Sequence, residues 1–69
     1  MEDFELEGRE FIELNKLLKV TGLCESGGRA KTLIADGQVK VDGEVELRKR
    51  CKIKRGQKIE FEGNIVCVK

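Results

Sequence analysis

Histidine is absent from this chain of 69 residues, and so are tryptophan and tyrosine. Without histidine the chain lacks the commonest general base and the commonest metal ligand at once. Only three cysteines are present, Cys24, Cys51 and Cys67, at wide and unpatterned spacing. Structural zinc needs four ligands clustered in close pairs, which are missing, so no metal site is expected. A disulfide framework has an even count in a secreted chain, whereas the odd count here reads as reduced thiols with packing roles. Long hydrophobic runs are missing too. No stretch approaches the roughly 20 apolar residues of a membrane-crossing helix, and the acidic N-terminal stretch lacks the apolar segment of a secretory signal. The expected setting is the cytoplasm. A conventional enzyme is not expected, and no catalytic residue or cofactor is assigned.

What is present is charge. Charged residues make up 39% of the chain and apolar residues another 39%. That charge is well above the roughly 25% of an average domain, yet enough apolar residues remain to fold. The length fits a single domain spanning residues 1–69, with a small core. The net charge of +1 conceals segregation. Residues 1–13 carry six acids (Glu2, Asp3, Glu5, Glu7, Glu10, Glu13) against Arg9, a balance of −5, and residues 14–69 carry seven acids against thirteen bases, a balance of +6. Between Arg48 and Lys58 stand seven bases, Arg48, Lys49, Arg50, Lys52, Lys54, Arg55 and Lys58, in eleven residues with no acid among them. A charge run is ordinarily a solvated loop, but the absence of compensating acids favours an anionic partner. The acidic N-terminus repels phosphate, so it is expected to face away from such a partner or to compete for the basic face.

Apolar spacing divides the chain into helical and extended parts. Phe4-Glu5-Leu6 alternates as a short edge strand does. Phe11, Leu14, Leu17 and Leu18 share one helical face, with Gly22 as the stop. Ser26 is a favoured N-cap for a second helix running to about Asp36, whose stripe is Ala30, Leu33 and Ile34. From Gln38 the period switches to two. Val39 and Val41 lead into Asp42-Gly43, a strong hairpin signal, and Val45 and Leu47 continue the return strand. Ile59 and Phe61 form another strand, Gly63-Asn64 turns the chain, and Ile65 to Val68 close it. The expected fold is α+β, with two N-terminal helices packed on a small antiparallel sheet of three to five short strands. Phe4, Phe11 and Phe61 all fit apolar faces, so no aromatic platform for stacking bases is expected.

The start of the second helix carries the most informative chemistry. Ser26, Gly27 and Gly28 sit at its positive end, where free backbone amides and small residues let a phosphate approach closely. By 100° steps, Gly27 and Lys31 flank the buried sector on one side and Arg29 on the other. Lys40, between Val39 and Val41, stands on the solvent face of its strand. Ser-Gly-Gly-Arg-Ala-Lys is not a nucleotide-binding P-loop, because the glycine spacing is wrong and no strand precedes it. Cys24 is the thiol nearest a helix N-terminus, a place where a thiol pKa can fall, but no base or orienting partner accompanies it.

Three stretches together resemble a known module: Leu14 to Leu23, Ser26-Gly27-Gly28-Arg29-Ala30-Lys31, and Leu33-Ile34-Ala35-Asp36-Gly37-Gln38-Val39-Lys40-Val41-Asp42-Gly43. They resemble the RNA-binding domain named after ribosomal small-subunit protein four, which carries the αL motif. That likeness covers about residues 14–62. Nearly the whole chain also resembles the small stand-alone bacterial YbcJ-type proteins, through Glu25-Ser26-Gly27, Gly37 to Gly43, and Arg48-Lys49-Arg50-Cys51-Lys52-Ile53. The resemblance implies binding to structured RNA, with the second helix and the following hairpin as the contact surface. Lys31 and Lys40 match basic positions of the family. The position after the opening serine is commonly basic there but is Gly27 here, which removes one phosphate contact, and the Arg48–Arg55 stretch is assigned the missing charge.

The RNA-contact set is therefore Ser26, Gly27, Arg29, Lys31, Lys40, Arg48, Lys49, Arg50, Lys52, Lys54 and Arg55. The expected partner is structured RNA of the ribosomal or transfer RNA class, with the ribosome or an RNA-modifying enzyme nearby, and the chain is expected to act as a monomer away from membranes. A reading from another class is a recruitment module whose basic face docks an acidic protein, such as an RNA-modifying enzyme.

Overall fold

The computed structural model describes residues 2–69. A five-stranded sheet carries most of the chain, in the order β1 (Glu2–Phe4), β7 (Asn64–Val68), β6 (Lys58–Phe61), β3 (Val39–Val41) and β4 (Glu44–Val45). A second ribbon pairs β2 (Ile12–Glu13) with β5 (Lys52–Ile53). Two helices, α1 (Leu14–Val20) and α2 (Gly27–Ala35), pack on each other and on the sheet. The architecture is α+β, as the change of period implied. The sheet is mixed rather than purely antiparallel, because β1 runs parallel to β7, with Glu2 opposite Val66 and Phe4 opposite Val68. That arrangement follows from a long return, since residues between the first and last strands build everything else.

The core draws on every layer. Leu14, Leu17 and Leu18 from α1 and Ala30 and Ile34 from α2 meet Val39, Ile59, Phe61, Val66 and Val68 of the sheet. Leu33, given to the same stripe, is half-buried and packs at its edge. Phe11 departs from its expected place. It lies ahead of α1, outside the core, because Ile12 and Glu13 are extended and pair with Ile53 and Lys52. Ile12 is buried in its stead. The Lys52 ammonium stands 5.0 Å from the centroid of the Phe11 ring.

Turn chemistry sets the register. Asp42 and Gly43 take φ of 52° and 85°, the mirror-image turn that a right-twisted two-residue hairpin requires. The Asp42 carboxylate also accepts from the Lys58 backbone N–H at 2.9 Å and from Gln57 Nε2 at 3.4 Å, tying the hairpin to the start of β6. The β6–β7 turn falls at Glu62-Gly63, one residue before the expected Gly63-Asn64, and Asn64 is instead the first residue of β7, opposite Phe61. The return strand β4 is shorter than the alternation implied. It ends at Val45, and Leu47 lies beyond it, 58% exposed.

The sheet order separates the two ends of the charge distribution. β1 lies at one edge and β4 at the other, with three strands between them. The acidic first strand is thus far from the hairpin that bears Lys40, and Asp3 pairs with Lys69 at 3.0 Å on its own edge.

Candidate nucleic-acid interface

Helix α2 begins as its sequence demands. Ser26 has extended backbone angles, and its Oγ accepts from the Arg29 backbone N–H at 3.1 Å, satisfying one of the unpaired donors of the first turn. Gly27 and Gly28 open the first turn of α2, the end of a helix that suits an anion. A Cβ on Gly27 would stand 3.9 Å from Asn15 Nδ2, an ordinary contact, so the glycine is not imposed by crowding.

The basic segment is not a free loop. Lys52 and Ile53 form β5, and the carbonyls just before them cap the other helix. The Leu14 N–H donates to the Cys51 carbonyl at 2.9 Å and the Asn15 N–H to the Lys49 carbonyl at 3.2 Å. The first-turn donors of α1 therefore hold residues 49–51 in place. Asn15 is the joint of the site. Its backbone carries the Lys49 segment, its side chain lies beside Gly27, and the residue is 7% exposed. Its Oδ1 finds no hydrogen-bond partner among the described residues. Through Asn15, the start of α2 and the basic segment become neighbours.

Four of the assigned bases line one groove. Arg48, Lys52, Lys54 and Arg55 face a space of about 670 Å³ that also holds Glu44 and Glu46 from the return limb of the hairpin. Arg50 shares an adjoining hollow with Arg48, Lys52 and Lys54. Lys40 is exposed on β3, opposite Val45 of β4 and Glu60 of β6. Lys31 and Lys49 are exposed on α2 and on the turn before β5. Arg29 stands apart. It lines a separate hollow with Glu25 and Glu62, on the side of the β6–β7 turn.

The fold supplies acids that the linear run lacks. Glu46 accepts from Arg48 Nε at 2.9 Å, from Nη2 at 3.0 Å and from its backbone N–H at 3.0 Å. Glu13, from the strand before α1, accepts from Arg50 Nε at 3.0 Å. Sequence reasoning missed both acids, one because it lies in the acidic N-terminal block and the other because it falls just outside the run. The Arg48 hydrogen bonds hold the Glu46 carboxyl down to about 2, and Arg48 is correspondingly held above its ordinary value. Among the described residues Lys49, Lys52, Lys54 and Arg55 make no ion pair.

Burial governs the acidity of two of the thiols. Burial raises the pKa of Cys24, outweighing the opposing Arg29 charge, so the lowering expected near a helix N-terminus does not occur. Burial likewise raises Cys51, with the Glu46 carboxylate adding to it.

The family model of the S4 domain matches residues 4–69. The chain belongs to the S4 domain family. It is 54% identical over 68 residues to YbcJ of Escherichia coli (strain K12), covering 99% of this chain and 97% of that protein. The solution structure of the same E. coli YbcJ, described as revealing an αL motif involved in RNA binding, superposes with a TM-score of 0.76, over 99% of this chain and 86% of that one. More distantly, 35% identity over 54 residues links this S4 domain to RlbA of Bacillus subtilis (strain 168), named as a probable ribosome maturation protein, across 78% of this chain and 76% of that one. No helix among the described residues of this S4 domain is long and apolar enough to cross a membrane.

Proposed function

We propose that this S4 domain is a non-catalytic RNA-binding module that recognises structured RNA of the ribosomal or transfer RNA class. Phosphates are held by the start of α2, by Lys31 and Lys40, and by the basic segment from Arg48 to Arg55. The observation that carries the reading is the seating of residues 49–51 on the N-terminus of α1, next to Gly27, which gathers the bases beside the helix start. The RNA binding named for YbcJ and the ribosome maturation named for RlbA favour the same class of partner. With no tryptophan or tyrosine, with Phe61 buried and with the Phe4 and Phe11 rings faced by Arg9 and Lys52, recognition rests on phosphate, ribose and shape rather than on base stacking. The module acts as a monomer in the cytoplasm.

The test is a salt series of binding to ribosomal RNA, transfer RNA and duplex DNA of equal length. Neutralising four to six phosphates gives a slope of log affinity against log salt of roughly −3 to −5. Lys49→Glu and Lys54→Glu, both at residues without an ion partner among the described residues, weaken binding to every RNA alike and flatten that slope. Unchanged affinity in both variants removes the basic segment from the interface. Equal, weak binding to all three nucleic acids that vanishes at physiological salt refutes RNA recognition and leaves an acidic protein as the partner of this face.

A further inference from the structure

The two ion pairs of the basic segment share an asymmetry. The Arg48 side chain is 76% exposed and its partner Glu46 17%; the Arg50 side chain is 75% exposed and its partner Glu13 19%. In each pair the acid stands behind and the arginine in front. Each acid reaches the Nε edge of its arginine, and Glu46 takes one Nη2 donor as well. Arg48 Nη2 also donates to Cys51 Sγ at 3.6 Å, so of the five N–H donors of a guanidinium two remain on Arg48, both on Nη1, and four on Arg50. Those remaining donors lie on the outer end of the side chain. Among the described residues the lysines of the segment have no acid behind them.

Exposed ion pairs contribute little to stability, so stability is a poor reason to place acids inside a basic face. Neutralisation is a poor reason as well, since an acid that merely cancels charge need not be half-buried behind its partner. Glu46 is further fixed by the Cys51 thiol, which donates to Oε1 at 3.5 Å, and with its carboxyl held at about 2 it stays ionised when a phosphate arrives.

We propose that Glu13 and Glu46 are positioning residues for RNA, each holding an arginine as a fixed outward fork that receives a phosphate at its Nη end. The inference rests on the RNA-binding reading above. Its physical content is a trade. Each acid costs long-range attraction for any polyanion, and in return the planar fork meets a phosphate of fixed position without first losing its own freedom. A folded RNA, whose phosphates are fixed, gains from that arrangement, while a flexible strand does not.

The experiment measures binding of the full chain to transfer RNA and to polyuridylate of matched length. Glu46→Gln and Glu13→Gln each raise the net charge by one, yet each is expected to weaken transfer RNA binding about fivefold and to strengthen polyuridylate binding about twofold, in line with the worth of oriented charge-assisted contacts. In the Arg48→Ala background, Glu46→Gln no longer weakens transfer RNA binding. Arg48→Lys and Arg50→Lys leave the acids and the charge intact, and they show the same selective loss, because a lysine cannot be held as a fork. Tighter binding of both RNAs by the same factor in the glutamine variants overturns the proposal, since the acids then only neutralise. Full selectivity retained in the lysine variants overturns it independently. A wild-type chain that prefers neither transfer RNA nor ribosomal RNA over polyuridylate refutes the RNA reading itself, and that result appears before any variant is made.

Discussion

Replacing Asp42 by alanine tests whether one turn residue joins the hairpin to the rest of the sheet. Two costs follow from its geometry. The backbone at Asp42 has φ of 52°, where a residue with an ordinary Cβ loses about 1 kcal/mol and where aspartate is partly excused by its local hydrogen bonds. The carboxylate accepts from the Lys58 N–H at 2.9 Å and from Gln57 Nε2 at 3.4 Å. Losing those exposed bonds costs about 1 kcal/mol, the usual net worth of one good bond. The sum is about 2 kcal/mol, a large part of the 3–5 kcal/mol that so small a core supplies, and it lowers the melting temperature by roughly 8–16 °C at this size. Asp42→Gly removes only the side-chain bonds and so costs about half as much, and Asp42→Asn keeps both the turn and the acceptor and costs least. The chain has no tryptophan or tyrosine, so the assay is urea unfolding followed by far-ultraviolet circular dichroism. Glycine as damaging as alanine would falsify the backbone half of the argument, and alanine as mild as asparagine would refute the hydrogen-bond half.

Other consequences reach the interface and the thiols. Gly27→Lys is accommodated, since its Cβ meets only Asn15 Nδ2 at 3.9 Å; it adds a phosphate contact and steepens the salt slope by roughly 1, which titration against transfer RNA at several salt concentrations measures. The Glu46 carboxyl lies near 2 in the fold against an ordinary 4.5, so its contribution to stability is complete above about pH 4.5 and is lost as pH falls toward 2. Urea midpoints across that window fall less for Glu46→Gln than for the natural chain, and equal falls refute the assignment. Burial raises Cys24 and Cys51, so at pH 8 both alkylate with iodoacetamide more slowly than in urea-unfolded chain, as mass spectrometry of the two peptides reports; equal rates folded and unfolded refute it.

How much of this was readable from the chain depended on the range of the interaction. Helix α2 was legible almost to the residue, because Ser26, the Ala30–Ile34 stripe and the glycine after it are all local signals. The β3–β4 hairpin was legible for the same reason, through Asp42-Gly43 between alternating valines. Phe11 misled because its spacing from Leu14 and Leu18 is helical, yet the backbone at Ile12 and Glu13 is claimed by pairing with β5, some forty residues on. Tertiary pairing overrides local period wherever a partner strand is available. The parallel placement of β1 was invisible for a related reason, since nothing in Glu2–Phe4 encodes which distant strand it joins.

The charge run shows the same limit at the candidate site, and with more consequence. Counted along the chain, Arg48 to Lys58 has no acid, which is why it reads as a field seeking an anion. Counted in space, the field is divided. Glu46 sits two residues before the run and holds its first arginine, and Glu13 reaches Arg50 from 37 residues away, brought there by the β2–β5 ribbon. The lysines and Arg55 keep their charges unpaired among the described residues. The sequence therefore identifies where the positive surface lies but overstates how uniform it is. The fold separates it into ion-paired guanidiniums at Arg48 and Arg50 and, among the described residues, ammonium charges without an acid partner at Lys49, Lys52 and Lys54, two kinds of charge that differ in how they meet a fixed anion and in how salt screens them. A surface made only of the second kind follows total charge, whereas one that includes the first registers where the phosphates are.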